Sequence, residues 1–146
     1  MSDERRYDAL KLESQLCFPL YAASREVVKR YRPHLEPLGL TYTQYIAMMV
    51  FWARKQCSVK ELGEKLHLDS GTLTPVLKSL EAKGFVRRYR SAEDERVLLV
   101  EVTEEGLRLR DRALDVPRKV GACVRLAPDD AARLHELLYR LLETLE

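Results

Sequence analysis

The chain has 146 residues, enough for one domain with its own core, and its 46% hydrophobic and 33% charged residues are ordinary for a globular protein. No stretch is long and apolar enough to read as a membrane span, and the opening MSDERRYDAL lacks the apolar centre of a secretory signal. With 25 basic and 23 acidic side chains the formal charge is only +2, so a polyanionic partner has to be read from local clustering.

Residues 8–35 read as one long helix or a kinked pair, closed by Pro33, Pro37 and Gly39. In TYTQ, Thr41 and Gln44 have the spacing of a capping box, which predicts a helix from Tyr42. Its apolar positions Tyr45, Ile46, Met49, Val50 and Ala53 recur every three or four residues, as a buried stripe does. Ser58 and Glu61 form a second box ahead of Leu62, Leu66 and Leu68. Cys57, just before that cap, suits a small apolar residue packed on Leu62.

In LDSGTLTPVLKSLEAKG, Asp69 and Ser70 are candidate caps and Gly84 is the natural stop. Leu73, Val76, Leu77 and Leu80 make an inward face, while Gly71, Thr74, Pro75 and Lys78 point the other way. A proline ring crowds the carbonyl four residues back, so the regular helix is expected to begin late, with Pro75 in its first turn. The period then changes. FVRRYR and VLLVEV are β-branched and aromatic runs around the polar tip SAEDER, which predicts a hairpin. Thr103 with Glu104 and Glu105 caps a further helix, interrupted near Pro117 and ended by Gly121. Pro128, Asp129 and Asp130 open the last one, which carries Leu134, Leu137, Leu138, Leu141, Leu142 and Leu145.

The fold class expected is mainly α with a small β-hairpin, in a single domain. Residues 42–103 form a winged helix-turn-helix, flanked by dimerisation helices over 8–36 and 104–146. In such an arrangement the third helix enters the DNA major groove and the hairpin lies along the backbone or minor groove. Lys83, Arg87, Arg88, Arg90 and Arg96 crowd the strands, while Glu93, Asp94 and Glu95 sit at the tip. Phosphate neutralisation needs such a local patch more than a basic whole chain. The competing reading is an edge strand protected by charge, and the two capped helices ahead of it favour DNA.

From LHLDSGTLTPVLKSLEAKGFVRRYRSAEDERVLLVEVTEEG, with its Asp94-Glu95-Arg96 wing tip, the chain resembles the multiple-antibiotic-resistance regulator (MarR) family of winged-helix repressors. KLESQLCFPLY and LTYTQY narrow the resemblance to the organic hydroperoxide resistance regulators, over nearly the whole chain. What the resemblance implies is a non-enzymatic, cytoplasmic homodimer on palindromic double-stranded operator DNA, released by organic hydroperoxide and carrying no cofactor. It implies that the helix from Ser70, with Thr72, Thr74 and Lys78, reads the major groove beside Arg88 and Arg90. Arg96 enters the minor groove and Asp94 orients it.

The cysteines are the chemistry-bearing residues. Cys17, Cys57 and Cys123 make neither a disulfide framework nor a C-x-x-C pattern, which suits a reducing compartment, and His34, His67 and His135 are too scattered for a metal site. A lone helical cysteine is commonly inert packing. Cys17, however, shares a stripe with Tyr21, Ser24, Val28 and Tyr31, a polar set for an apolar seam, and phenols can donate to a thiolate. Tyr31 lies about 21 Å from Cys17 along a continuous helix, so the two cannot touch within one straight helix. The resemblance implies two tyrosines of the partner chain against the reactive thiol, matching Tyr31 and Tyr42. It also implies that Cys123 is either junction packing or a resolving cysteine. Pro19 departs from the family pattern and predicts a kink after Cys17, or a helix restarting there. Two other functions fit the same residues: a repressor gated by a non-covalent aromatic ligand, with Cys17 inert, and a thiol peroxidase.

Overall fold

The computed structural model describes residues 2–146, with side chains from residue 4 onward. After α1 (Ser2–Arg6), two single 3-10 turns at Asp8–Leu10 and Leu12–Ser14 precede α2 (Cys17–Leu35). The expected long helix over 8–35 is therefore corrected, because regular helix starts only at Cys17. Pro19 explains the break. It has no N–H for the Gln15 carbonyl, so it is accommodated as the third helical residue, where no such bond is required. The Gln15 side-chain amide donates to the carbonyls of Ala9 and Lys11 and holds the preceding segment in turns. Pro33 is tolerated near the end of α2, and a 3-10 turn at Glu36–Leu38 leads to Gly39.

The capping box at Thr41 and Gln44 is complete, and it opens α3 (Tyr42–Arg54). A three-residue strand β1 (Gln56–Ser58) follows, then α4 (Val59–Leu66), capped by the Ser58 hydroxyl on the Glu61 amide. The helix α5 (Ser70–Ala82) begins at Ser70, and Pro75 stands in its second turn, not its first. The Asp69 carboxylate caps the Thr72 N–H at 2.7 Å and fixes the start of the helix ahead of the proline. Gly84, at φ +81°, closes α5 as a Schellman motif: its N–H donates to the Glu81 carbonyl and the Phe85 N–H to that of Leu80.

The wing is β2 (Val86–Arg90) and β3 (Leu98–Val102), paired antiparallel with Arg88 opposite Val100. The hairpin is not alone: β1 pairs with the free edge of β3, placing Cys57 opposite Val100, so the sheet has three strands in the order β1-β3-β2. α6 (Glu104–Ala113), α7 (Val116–Gly121) and α8 (Pro128–Thr144) complete the chain.

The core runs from Leu35 to Val120, with Phe51, Met48, Leu62, Leu73, Leu77, Leu80 and Val100 fully enclosed. Apolar stripes of α3, α4 and α5 meet the inner face of the sheet there, the arrangement that binary patterning demands. The two chain ends lie outside this core. α8 buries no residue, and Leu134, Leu137, Tyr139 and Leu145 face solvent. Leu10, Leu12, Leu16, Phe18 and Leu20 are equally exposed at the other end. Among the described residues no helix is long and apolar enough to cross a membrane.

Candidate nucleic-acid interface and thiol site

The outer face of α5 is polar and open. Ser70, Thr72, Thr74, Pro75 and Lys78 are all exposed, because Leu73, Leu77 and Leu80 take the opposite side into the core. The Thr74 hydroxyl donates to the Ser70 carbonyl at 2.7 Å, whereas Lys78 has no ion-pair partner among the described residues and is available to a phosphate or a base edge.

The wing sorts its arginines into two groups. Arg87 pairs across the strands with Glu101 and stacks 4.5 Å from the Tyr89 ring centre. Arg88 is held on α5: its Nε and Nη2 donate to the Glu81 carboxylate at 3.2 and 3.0 Å, and its backbone N–H donates to the same group at 2.8 Å. These three bonds keep the Glu81 carboxyl below the usual carboxylate range, and they tie the helix to the wing. Arg88 is thus placed as a strut between α5 and the wing, unlike Arg90, which is exposed and unpaired among the described residues. At the tip, the Arg96 side chain is 90% exposed. The Asp94 carboxylate accepts its backbone N–H and Nε, each at 3.1 Å, and its Nη2 at 3.3 Å. Those bonds lower the Asp94 pKa and aim the guanidinium outward.

The Cys17 thiol and the aromatic cluster lie apart in the chain. Cys17 is exposed at the first helical position of α2. Tyr31 stands at the other end of that helix, about 21 Å along it. There it meets Tyr42, with ring centres 4.8 Å apart, and Tyr45 at 5.7 Å. Burial, with Tyr31 beside it, pushes the Tyr42 phenol above its ordinary pKa; Tyr45 is raised by burial and by both neighbours. Both phenols therefore remain protonated hydrogen-bond donors at neutral pH. Cys123 is exposed in the α7–α8 connection, its thiol directed at the Lys119 carbonyl 3.5 Å away. Cys57 is buried in β1, beside β3, and burial pushes its thiol pKa up.

A family model described as transcriptional regulator SarA/Rot matches residues 29–112. The chain is 47% identical over 142 residues to the organic hydroperoxide resistance transcriptional regulator of Bacillus subtilis, across 97% of each chain. It belongs to the organic hydroperoxide resistance regulators, a branch of the MarR-type winged-helix proteins. Among solved structures it is similar to reduced AbfR bound to DNA, with a TM-score of 0.78 at 30% identity over 98% of this chain and 99% of that one. It is similar also to disulfide-formed AbfR, with a TM-score of 0.64 at 31% identity over 97% and 99% of the two chains. AbfR is a protein of Staphylococcus epidermidis.

Sequence reasoning overlooked four features of the structure around these sites. Tyr45 was assigned only to the α3 stripe, yet it completes the aromatic cluster around Tyr31 and Tyr42. Trp52 carried no signal, and its indole donates to the Gly106 carbonyl at 2.8 Å across 54 residues of sequence. The third strand β1 is too short for its period to be read. Glu81, spaced seven residues from Arg88, could have been found as an acidic residue on the polar side of α5 facing a basic strand.

Proposed function

We propose that this protein is a homodimeric repressor that holds a palindromic operator when reduced and lets go when an organic hydroperoxide oxidises Cys17. It acts in the cytoplasm, on double-stranded DNA. One observation carries the redox reading: exposed Cys17 and the Tyr31–Tyr42 pair sit at opposite ends of α2, so one chain cannot close the site. The exposed apolar faces of α8 and of residues 10–20 give a second copy a surface to cover, and a second copy can bring its tyrosines to this thiol. Tyr31 and Tyr42 of the partner then donate to the Cys17 thiolate and favour the nucleophilic form.

The chemistry balances with two thiols. The Cys17 thiolate attacks the terminal oxygen of the hydroperoxide, the O–O bond breaks, and the alkoxide takes a proton and departs as an alcohol. Cys17 is left as a sulfenic acid. The Cys123 thiolate of the partner attacks that sulfur, the S–O bond breaks, and the hydroxide takes a proton and leaves as water, so the two thiols are oxidised by two electrons to one disulfide. A disulfide needs Cα atoms within about 7 Å, so the α7–α8 junction moves and carries the lobes with it. AbfR, to which this chain is similar, has been solved both reduced on DNA and in a disulfide-formed state, which supports a two-state scheme.

On DNA, each α5 presents Ser70, Thr72, Thr74 and Lys78 to a major groove, Arg90 neutralises backbone phosphate, and Asp94 aims Arg96 into the minor groove. Fluorescence anisotropy on an operator duplex tests the whole reading. Cumene hydroperoxide is expected to release the native protein but not Cys17→Ser, with equal affinity of both when reduced. Peroxide release of the variant would refute the sensor assignment, and release of both by a phenolic ligand alone would favour a non-covalent effector.

A further inference from the structure

We propose that Trp52 is the positioning residue that carries the state of the thiol site to the wing. The inference rests on the redox reading above, and it concerns residues that reading leaves unused. Four aromatic side chains form a continuous file. Tyr31 and Tyr42 contact Tyr45 at 5.7 and 6.3 Å between ring centres, and Tyr45 meets Trp52 edge-on at 6.3 Å. Tyr45 is only 3% exposed, so it has no free space in which to absorb a displacement of its neighbours.

The far end of the file is fastened to the base of the wing. The Trp52 indole N–H donates to the carbonyl of Gly106 in the first turn of α6. That turn is seated flush on both wing strands. A Cβ on Gly106 would lie 2.2 Å from the Phe85 carbonyl oxygen and 2.6 Å from Cγ2 of Val102, so only glycine allows the approach. Phe85 immediately precedes β2, and Val102 ends β3. Thr103, which caps α6 through the Gly106 N–H, also donates its hydroxyl to the Gly84 carbonyl at 2.6 Å and its N–H to Phe85 at 3.0 Å. A shift of Trp52 therefore moves α6, Thr103 and the roots of both strands together. A close-packed element of this kind has discrete arrangements and transmits small displacements. When Cys17 oxidation withdraws the thiolate from Tyr31 and Tyr42, the file relaxes, and the wing re-aims Arg96.

The test uses Trp52→Phe, which keeps a ring against Tyr45 and removes the N–H that grips Gly106. Operator Kd is measured for reduced and for hydroperoxide-treated protein, with free thiols counted in each sample. The expected result is a reduced-state Kd within about threefold of native, while the oxidised-to-reduced Kd ratio falls about tenfold. A merely structural role would weaken both states alike, and an unchanged ratio would overturn the proposal. If the variant binds poorly even when reduced, the native protein decides the matter, since Trp52 is its only tryptophan. Its emission is expected to shift on oxidation at the rate of operator release, and not to shift in Cys17→Ser. Release with unaltered emission would sink the coupling. A native protein whose Cys17 is oxidised without release would instead sink the redox reading, and this inference with it.

Discussion

Arg96→Ala isolates the wing, because the side chain does nothing for the folded protein that the structure reveals. It is 90% exposed and, among the described residues, its hydrogen bonds and ion pair are all to Asp94, so its removal is expected to leave thermal stability within about 0.5 kcal/mol of native. The effect on DNA is another matter. The two bonds that the guanidinium donates to Asp94 hold it in one orientation before binding, which lowers the entropy cost of inserting it into a groove. A good arginine contact is worth about 1–3 kcal/mol, and a dimer makes two, so operator affinity is expected to fall by about 2–6 kcal/mol. At one decade per 1.4 kcal/mol, that is roughly thirtyfold to twenty-thousandfold. Anisotropy titrations on an operator duplex between about 50 and 200 mM salt measure both affinity and charge. If Arg96 also displaces counterions, the slope of log K against log salt falls by about two per dimer. An unchanged affinity at every salt concentration would take the wing out of the interface. A marked drop in melting temperature would show that Arg96 supports the fold, contrary to its exposure.

The remaining predictions address the dimer, the disulfide and acid stability. Light scattering at micromolar concentration is expected to give a dimer for the native chain and a monomer for Leu134→Glu with Leu137→Glu, since both leucines are exposed on α8 here. Non-reducing gels after peroxide are expected to show a reductant-reversible crosslink that peptide mapping assigns to Cys17 and Cys123 of different chains. Buried Cys57 should play no part, and a crosslink surviving in Cys123→Ser would return Cys123 to packing. Glu81 has a folded pKa below its ordinary value of 4.5, so its contribution to stability is complete above that pH and is lost as pH falls through the folded value. Chemical denaturation from neutral pH down to about 3 is expected to show a shallower acid loss in Glu81→Gln than in the native chain, and parallel curves would deny the strut any role.

Much of this architecture is legible in local chemistry. Thr41–Gln44, Ser58–Glu61 and Thr103 announce three helix starts because a capping side chain must stand within reach of an amide two or three residues on. The strands of the wing announce themselves by residue type, and Gly84 by the left-handed turn it alone takes easily. Pro19 stands in the first turn of α2, in keeping with the restart that was one of its two expected outcomes, because a residue there needs no N–H for the helix. Pro75 instead lies in the second turn of α5, where a late start was expected.

The sequence by itself determined the order of the helices from α3 onward and of the two wing strands, the polar outer face of α5, the Asp94–Arg96 tip and the apolar character of the chain ends. These follow from spacings of two to four residues and from residue type, which act locally. Only the tertiary structure decided which arginines stay available. Arg88 faces Glu81 and Arg87 faces Glu101 because strand register and the α5–wing angle bring them together. It also assembled Tyr31, Tyr42, Tyr45 and Trp52 into one file ending on Gly106, 54 residues from Trp52. Contacts across such separations depend on how whole helices pack, and no local period records them.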